Sequence, residues 1–126
     1  MTSKLTTSSR LVEFQSILDY ADLTNDYNPL HVDPAFAAKT PFGGVIAHGT
    51  MSVALIWQAL ALTLGREALE RIDLDIRFLK PVRVGNTVTG GGELRAGSTN
   101  IYEVWVKNDV AEGEPVISGT ATLRAA

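Results

Sequence analysis

The chain has 126 residues and no cysteine, which excludes disulfides, zinc–thiolate sites and thiol nucleophiles. Its 11 Lys and Arg against 14 Asp and Glu give a net charge of −3 with no basic cluster, which argues against nucleic-acid and anionic-membrane binding. We therefore expect one globular domain over residues 1–126, in a reducing compartment such as the cytoplasm.

The first third of the chain predicts short helices. Residues 1–10 are rich in Ser and Thr and are expected to form a tail and a first strand. Ser16 is expected to cap a short helix, which Asn28-Pro29 must end because proline cannot continue it. Asp33-Pro34 predicts a helix cap and first helical position, followed by a short helix over residues 35–38.

A long uncharged segment follows. Residues 40–65 contain no Asp, Glu, Lys or Arg, and residues 51–64 are apolar on nearly every side. As a helix, residues 51–64 would be about 21 Å long, short of the roughly 30 Å needed to cross a bilayer. We therefore expect a helix buried inside the protein and ended by Gly65.

The second half alternates with a period of two, which is typical of strands. Ile72, Leu74, Ile76 and Phe78 are expected to share one apolar face. Further strands are expected over residues 82–84, 87–95, 101–107 and 116–124, as a meander. The sheet needs a cover for its apolar face, so the fold class is α+β, an antiparallel sheet wrapped around one long buried helix.

Polar side chains concentrate between two of the predicted helices, at residues 25–33. Asp26 and His31 would diverge on a regular helix, but Asn28-Pro29 forces a turn that can bring carboxylate and imidazole together. Such a pair can activate a water molecule. The alternative is that Asp26 caps the turn and His31 is a structural histidine.

The start of the buried helix is the second candidate. Its first N–H groups lack partners within the helix, and Gly49 lets a carbonyl oxygen approach them closely. Two roles are open for His48, lining the site or capping the turn. With only His31 and His48 available, no metal site and no cofactor are expected.

The segments DYNPLHVDPAFA at 26–37 and IAHG at 46–49 resemble the (R)-specific enoyl-CoA hydratases and MaoC-like dehydratases of the hot-dog fold. IRFLKPV at 76–82 and VGNTV at 84–88 extend the resemblance. It implies hydration of trans-2-enoyl-CoA to the (R)-3-hydroxyacyl product, and the reverse dehydration. It also implies a homodimer.

The resemblance assigns a role to each candidate residue. Asp26 and His31 would be the catalytic dyad, and the Gly49 amide would polarise the thioester carbonyl. Asn28 would hold the dyad loop by hydrogen bonds. Trp57, on the buried helix, either limits the acyl tunnel or belongs to the core.

Two rival functions remain. A hot-dog thioesterase would be expected to carry an acid on the central helix, and residues 51–64 contain none. A catalytically silent acyl-CoA binder or partner subunit would not need both Asp26 and His31. The sequence does not distinguish CoA from acyl carrier protein as the thioester carrier, so a 3-hydroxyacyl-ACP dehydratase subunit stays open.

Four cationic residues are candidates for binding CoA phosphates, although cations on strands are usually solvated: Arg77, Lys80, Arg83 and Lys107.

Overall fold

One antiparallel sheet packs against a 16-residue helix in the computed structural model, which describes residues 3–111 and 114–126. The strands are β1 (Ser8–Leu11), β2 (Ile72–Phe78), β3 (Thr87–Leu94), β4 (Ile101–Asn108) and β5 (Pro115–Leu123). The helices are α1 (Phe14–Thr24), α2 (Pro29–Val32), α3 (Pro34–Ala38) and α4 (Gly49–Leu64). Short 3₁₀ turns cover Arg66–Arg71 and Asp109–Ala111. The expected α+β class is confirmed.

Helix α4 is the central element, as expected, and it begins two residues earlier than the apolar run indicated. Ile56 and Leu60 are fully buried against the sheet, and Gly65 ends the helix with φ of 90°. The expectation that every apolar side chain of this helix is covered is wrong for Leu62, which is 63% exposed. The sheet covers one face of α4 and leaves the opposite face open. No helix among the described residues is long and apolar enough to cross a bilayer.

The strand order in the sheet is β1-β3-β4-β5-β2. The expected meander is confirmed for β3, β4 and β5, but it is wrong for β2, which pairs with β5 and not with β3. Residues 82–84, expected as a strand, form only a single bridge, from Arg83 to Ile46. The physical reason is that the Val82 carbonyl accepts a hydrogen bond from the N–H of Ala47, so this segment pairs with the loop before α4.

The start of α1 also differs from the expectation. Ser16 does not cap it, because the helix begins at Phe14, where the Glu13 carbonyl accepts a hydrogen bond of 3.2 Å from Ile17 N–H. The helix ends at Asn25, which adopts the left-handed conformation with φ of 56°.

The two proline positions that follow both begin helices. The expectation that Asn28-Pro29 ends α1 is therefore wrong, because Asn28-Pro29 starts α2. The cap at Asp33 is confirmed, since its side chain accepts a hydrogen bond of 3.1 Å from Phe36 N–H.

Candidate active site

A cavity of about 500 Å³ opens where three segments meet: the turn between α1 and α2, the start of α4, and the end of β2. It contains the two candidate histidines and the candidate glycine. Its lining residues are Asp26, His31, Phe42, Ile46, Ala47, His48, Gly49, Thr50, Phe78, Leu79, Lys80 and Pro81. Apolar side chains therefore surround a small set of polar groups, as is typical of ligand sites.

The backbone of Asp26 is held at both ends. Its N–H donates to the Ala21 carbonyl at 3.1 Å, and its carbonyl accepts from Nε2 of His48 at 3.0 Å. The carboxylate accepts a hydrogen bond of 3.3 Å from Asn28 N–H and is otherwise exposed at the cavity. The backbone of Asp26 is therefore fixed, while its carboxylate is accessible to solvent.

His31 lies on α2 and is half-buried. Its Nδ1 is 2.7 Å from the carbonyl oxygen of Ile46. Because a carbonyl only accepts hydrogen bonds, Nδ1 carries the proton in the neutral ring. Nε2 is then left with a free lone pair, which is the state required of a base.

Asn28 organises the turn between these two residues. Its side-chain oxygen accepts a hydrogen bond of 3.0 Å from Leu30 N–H and so caps α2. Its carbonyl accepts from His31 N–H at 2.9 Å. These bonds are of the kind expected for a residue that holds the loop.

The turn brings the expected groups together. One oxygen or nitrogen ligand atom from each of Asp26, His31 and His48 lies within 4.8 Å of the others. The expectation that a proline-broken turn brings the Asp26 carboxylate to the His31 imidazole is therefore met in geometry. Their catalytic roles stay a prediction.

Three such groups could in principle hold a metal ion, but the ring geometry favours proton chemistry. The His31 and His48 rings stack with centroids 4.1 Å apart and planes inclined by 27°. Each nitrogen lone pair lies in the plane of its ring, so stacked rings do not aim two lone pairs at a point about 2.1 Å from both. Chelation by both histidines would require the buried His48 ring to turn.

Gly49 is the first residue of α4 and forms part of the cavity wall. Its N–H makes no backbone hydrogen bond among residues 3–111 and 114–126. A Cβ at this position would lie 2.6 Å from Cε1 of Phe78. The site therefore presents an amide at the positive end of a helix, with the Phe78 ring close to the Cα of Gly49.

Comparison with known proteins places this arrangement in a family. Residues 2–112 match the sequence model of the MaoC like domain. The chain belongs to the MaoC-like family.

Characterised relatives give the family context. The chain is 36% identical over 77 residues to a 3-hydroxybutyryl-CoA dehydratase of Methylorubrum extorquens, a match that covers 61% of this chain and 49% of that protein. It is 39% identical over 77 residues to an (R)-specific enoyl-CoA hydratase of Aeromonas caviae, covering 61% of this chain and 58% of that protein. The chain thus spans about half the length of these relatives.

The solved structure of the (R)-hydratase from A. caviae involved in PHA biosynthesis superposes with a TM-score of 0.78 at 28% identity, covering 96% of this chain and 93% of that chain. The hot-dog fold implied by the resemblance is confirmed. In this MaoC-like domain, α4 is the central helix and the five described strands form the surrounding sheet.

Sequence reasoning missed the aromatic part of the cavity lining. Phe42, Phe78 and Leu79 line the cavity, and Phe78 is 58% exposed. The available signal was the IRFLKPV segment, which places a Phe where β2 leaves the sheet. Of the four cations considered for CoA phosphates, Lys80 lines the cavity, and it is ion-paired with Glu114.

The candidate Trp57, and Tyr27 of the 26–37 segment, lie outside the cavity lining. Trp57 is half-buried against the core and is not among the residues that line the cavity, so its role in an acyl tunnel stays a prediction. Tyr27 donates its hydroxyl to the Asp22 carboxylate at 2.6 Å, and this hydrogen bond raises the pKa of Tyr27 above its ordinary value. This shift favours the neutral phenol, and Tyr27 is not among the residues that line the cavity.

Proposed function

We propose that this MaoC-like domain hydrates trans-2-enoyl thioesters to (R)-3-hydroxyacyl thioesters and catalyses the reverse dehydration. One observation carries the proposal: Asp26, His31 and Gly49 line the same cavity. Handedness and the acyl-CoA substrate follow from the similarity to (R)-specific hydratases and are part of the proposal.

The reaction needs a base for water, a proton for Cα and a partner for the negative oxygen. A water molecule bound between the Asp26 carboxylate and Nε2 of His31 loses a proton to the pair as its oxygen bonds to Cβ. The pair returns the proton to Cα, so the elements of one water are added. The Gly49 N–H and the dipole of α4 stabilise the enolate oxygen between these steps.

A thioesterase is the closest rival, since the same helix end suits a tetrahedral intermediate. Helix α4 carries no Asp or Glu that could attack or activate water there, which favours hydration. An absorbance assay with crotonyl-CoA distinguishes the candidate functions. A hydratase removes the enoyl absorbance without releasing thiol, a thioesterase releases thiol, and a silent binder does neither. Thiol release at the rate of absorbance loss would overturn the proposal.

We also propose that the protein is a homodimer in the cytoplasm. The edges of the sheet are β1 and β2, and their outer hydrogen-bonding groups have no strand partner among the described residues. Light scattering after size exclusion should give twice the 13.5 kDa chain mass. A mass of one chain at micromolar concentration would contradict this part of the proposal.

A further inference from the structure

We propose that His48 is a positioning residue, which holds the backbone of Asp26 and the Gly49 amide at a fixed separation. This inference rests on the proposed hydratase function and extends it. His48 precedes Gly49 directly and is the N-cap residue of α4. It is only 3% exposed, although it is a polar residue at the wall of an open cavity.

The hydrogen bonds of His48 define its tautomer. Nε2 lies 3.0 Å from the backbone carbonyl of Asp26, so Nε2 must carry the proton that is donated. In the neutral ring Nδ1 is then an acceptor, and it has no hydrogen-bond partner among the described residues. An unpaired buried acceptor is unfavourable, whereas an apolar ring would fill the same space without that cost. Packing alone therefore does not account for a histidine here, and donation to Asp26 does.

The contacts of the ring leave it little freedom. The His31 ring stacks on it with a centroid distance of 4.1 Å, and the Tyr20 ring meets it edge-on at 5.0 Å. The Tyr20 hydroxyl donates to Oγ1 of Thr50 at 2.6 Å, which ties α1 to the first turn of α4. The His48 ring is thus clamped between the His31 ring and the Tyr20 ring of α1.

This placement has a mechanistic consequence. Hydration requires the activated water and the enolate partner to act on atoms of one substrate, at Cβ and at the thioester oxygen. His48 connects the two groups, because its side chain hydrogen-bonds to the backbone of Asp26 and its own backbone leads directly into Gly49. A displacement of about 1 Å between catalytic groups can cost roughly 100-fold in rate. His48 therefore acts on kcat through its hydrogen bond to Asp26.

Two substitutions separate positioning from packing. His48→Gln places an amide N–H near the Nε2 position and keeps the donor, while His48→Phe keeps the ring and loses the donor. We expect kcat on crotonyl-CoA to fall roughly 10-fold to 100-fold in His48→Phe with KM nearly unchanged, and to stay within about 5-fold of wild type in His48→Gln. Equal kcat in His48→Phe and wild type would overturn the proposal, as would a change confined to KM.

Asn108→Ala is a matched control, because Asn108 is also a buried polar residue and donates to Asn86 Oδ1 at 2.8 Å, but does not line the cavity. It should lower stability and leave kcat unchanged. A loss of kcat in this control equal to that in His48→Phe would assign the effect to general destabilisation and overturn the positioning role.

Nitrogen NMR of the wild-type protein tests the geometry without any substrate. The chain has only two histidines, so the signals of the two rings can be distinguished. We expect a protonated Nε2 in one ring, His48, and a protonated Nδ1 in the other, His31. A protonated Nδ1 in neutral His48 would overturn the inference. If the tautomers are as expected but wild type does not hydrate enoyl thioesters, the proposed function fails and the hydrogen bond of His48 to Asp26 stands.

Discussion

At the scale of single residues, the lack of a side chain at Gly49 sets the shape of the site. A methyl group there would lie 2.6 Å from the edge of the Phe78 ring, closer than non-bonded carbon atoms approach. Phe78 is exposed and can swing aside, so the protein can accept the methyl group. Under the proposed function, the cost then falls on the approach of a thioester oxygen to the Gly49 amide and not on folding.

We therefore expect Gly49→Ala to fold and to lose roughly 100-fold in kcat, about the cost of losing one oxyanion donor. Adding Phe78→Ala removes the clash but leaves the methyl group in front of the amide, so the double variant should stay slow. Crotonyl-CoA kinetics with circular dichroism as the folding check measures both. Full recovery in the double variant would show that the displaced ring, and not access to the amide, causes the loss.

The residues of the turn could be predicted because their constraints are local. Asn28-Pro29 starts a new helix between Asp26 and His31, and the Asn28 side chain caps that helix by accepting a hydrogen bond from Leu30 N–H. The partners of the two histidines are not local. His31 hydrogen-bonds to the carbonyl of Ile46, 15 residues away, and His48 to the carbonyl of Asp26, 22 residues away. No local sequence spacing predicts which carbonyl accepts these hydrogen bonds.

At the scale of elements, Gly90, the first of three consecutive glycines in β3, lies where this strand approaches α4 closely. A Cβ at Gly90 would lie 2.7 Å from the backbone carbon of Leu55 on α4, and neither backbone can yield easily. Glycine in a strand interior is ordinarily unfavourable, because it has no side chain to pack. Here it lets α4 lie directly against the sheet.

Gly90→Ala should therefore lower the free energy of unfolding by about 3 kcal/mol, at the upper end of the usual cost of overpacking. Gly44→Ala is the control. A Cβ at Gly44 would meet no atom within 4 Å, and the change should stay within about 0.5 kcal/mol. Urea unfolding of both variants measures the difference. A Gly90→Ala protein as stable as wild type would contradict the close approach of α4 and β3.

Strand periodicity predicted where most strands lie but not how they pair. The sequence pattern of β2 is compatible with two pairings, since β2 could continue a meander with β3 or pair with β5. The segment after β2 decides it, because the Leu79 N–H donates to the Val116 carbonyl at the start of β5. This contact joins residues 37 positions apart, beyond the reach of a local pattern.

At the scale of the whole molecule, the fold places a helix end, a turn and a strand end around one cavity. The apolar run of α4 needs a cover, which the sheet supplies over one face. The N-terminal end of α4 stays at the surface and faces the cavity with Gly49 and Thr50. Burial of the helix and access to its first amides are therefore two results of one packing arrangement.

The most direct test of this account is hydration of crotonyl-CoA by Asp26→Asn and His31→Asn. Asp26→Asn keeps the shape of the side chain and removes its charge, and His31→Asn keeps a donor near Nδ1 for the Ile46 carbonyl while removing the base at Nε2. Each should fold normally and lose roughly 100-fold to 10,000-fold in kcat, as expected for loss of a proton shuttle. Wild-type kcat in either variant would contradict an Asp26 and His31 dyad.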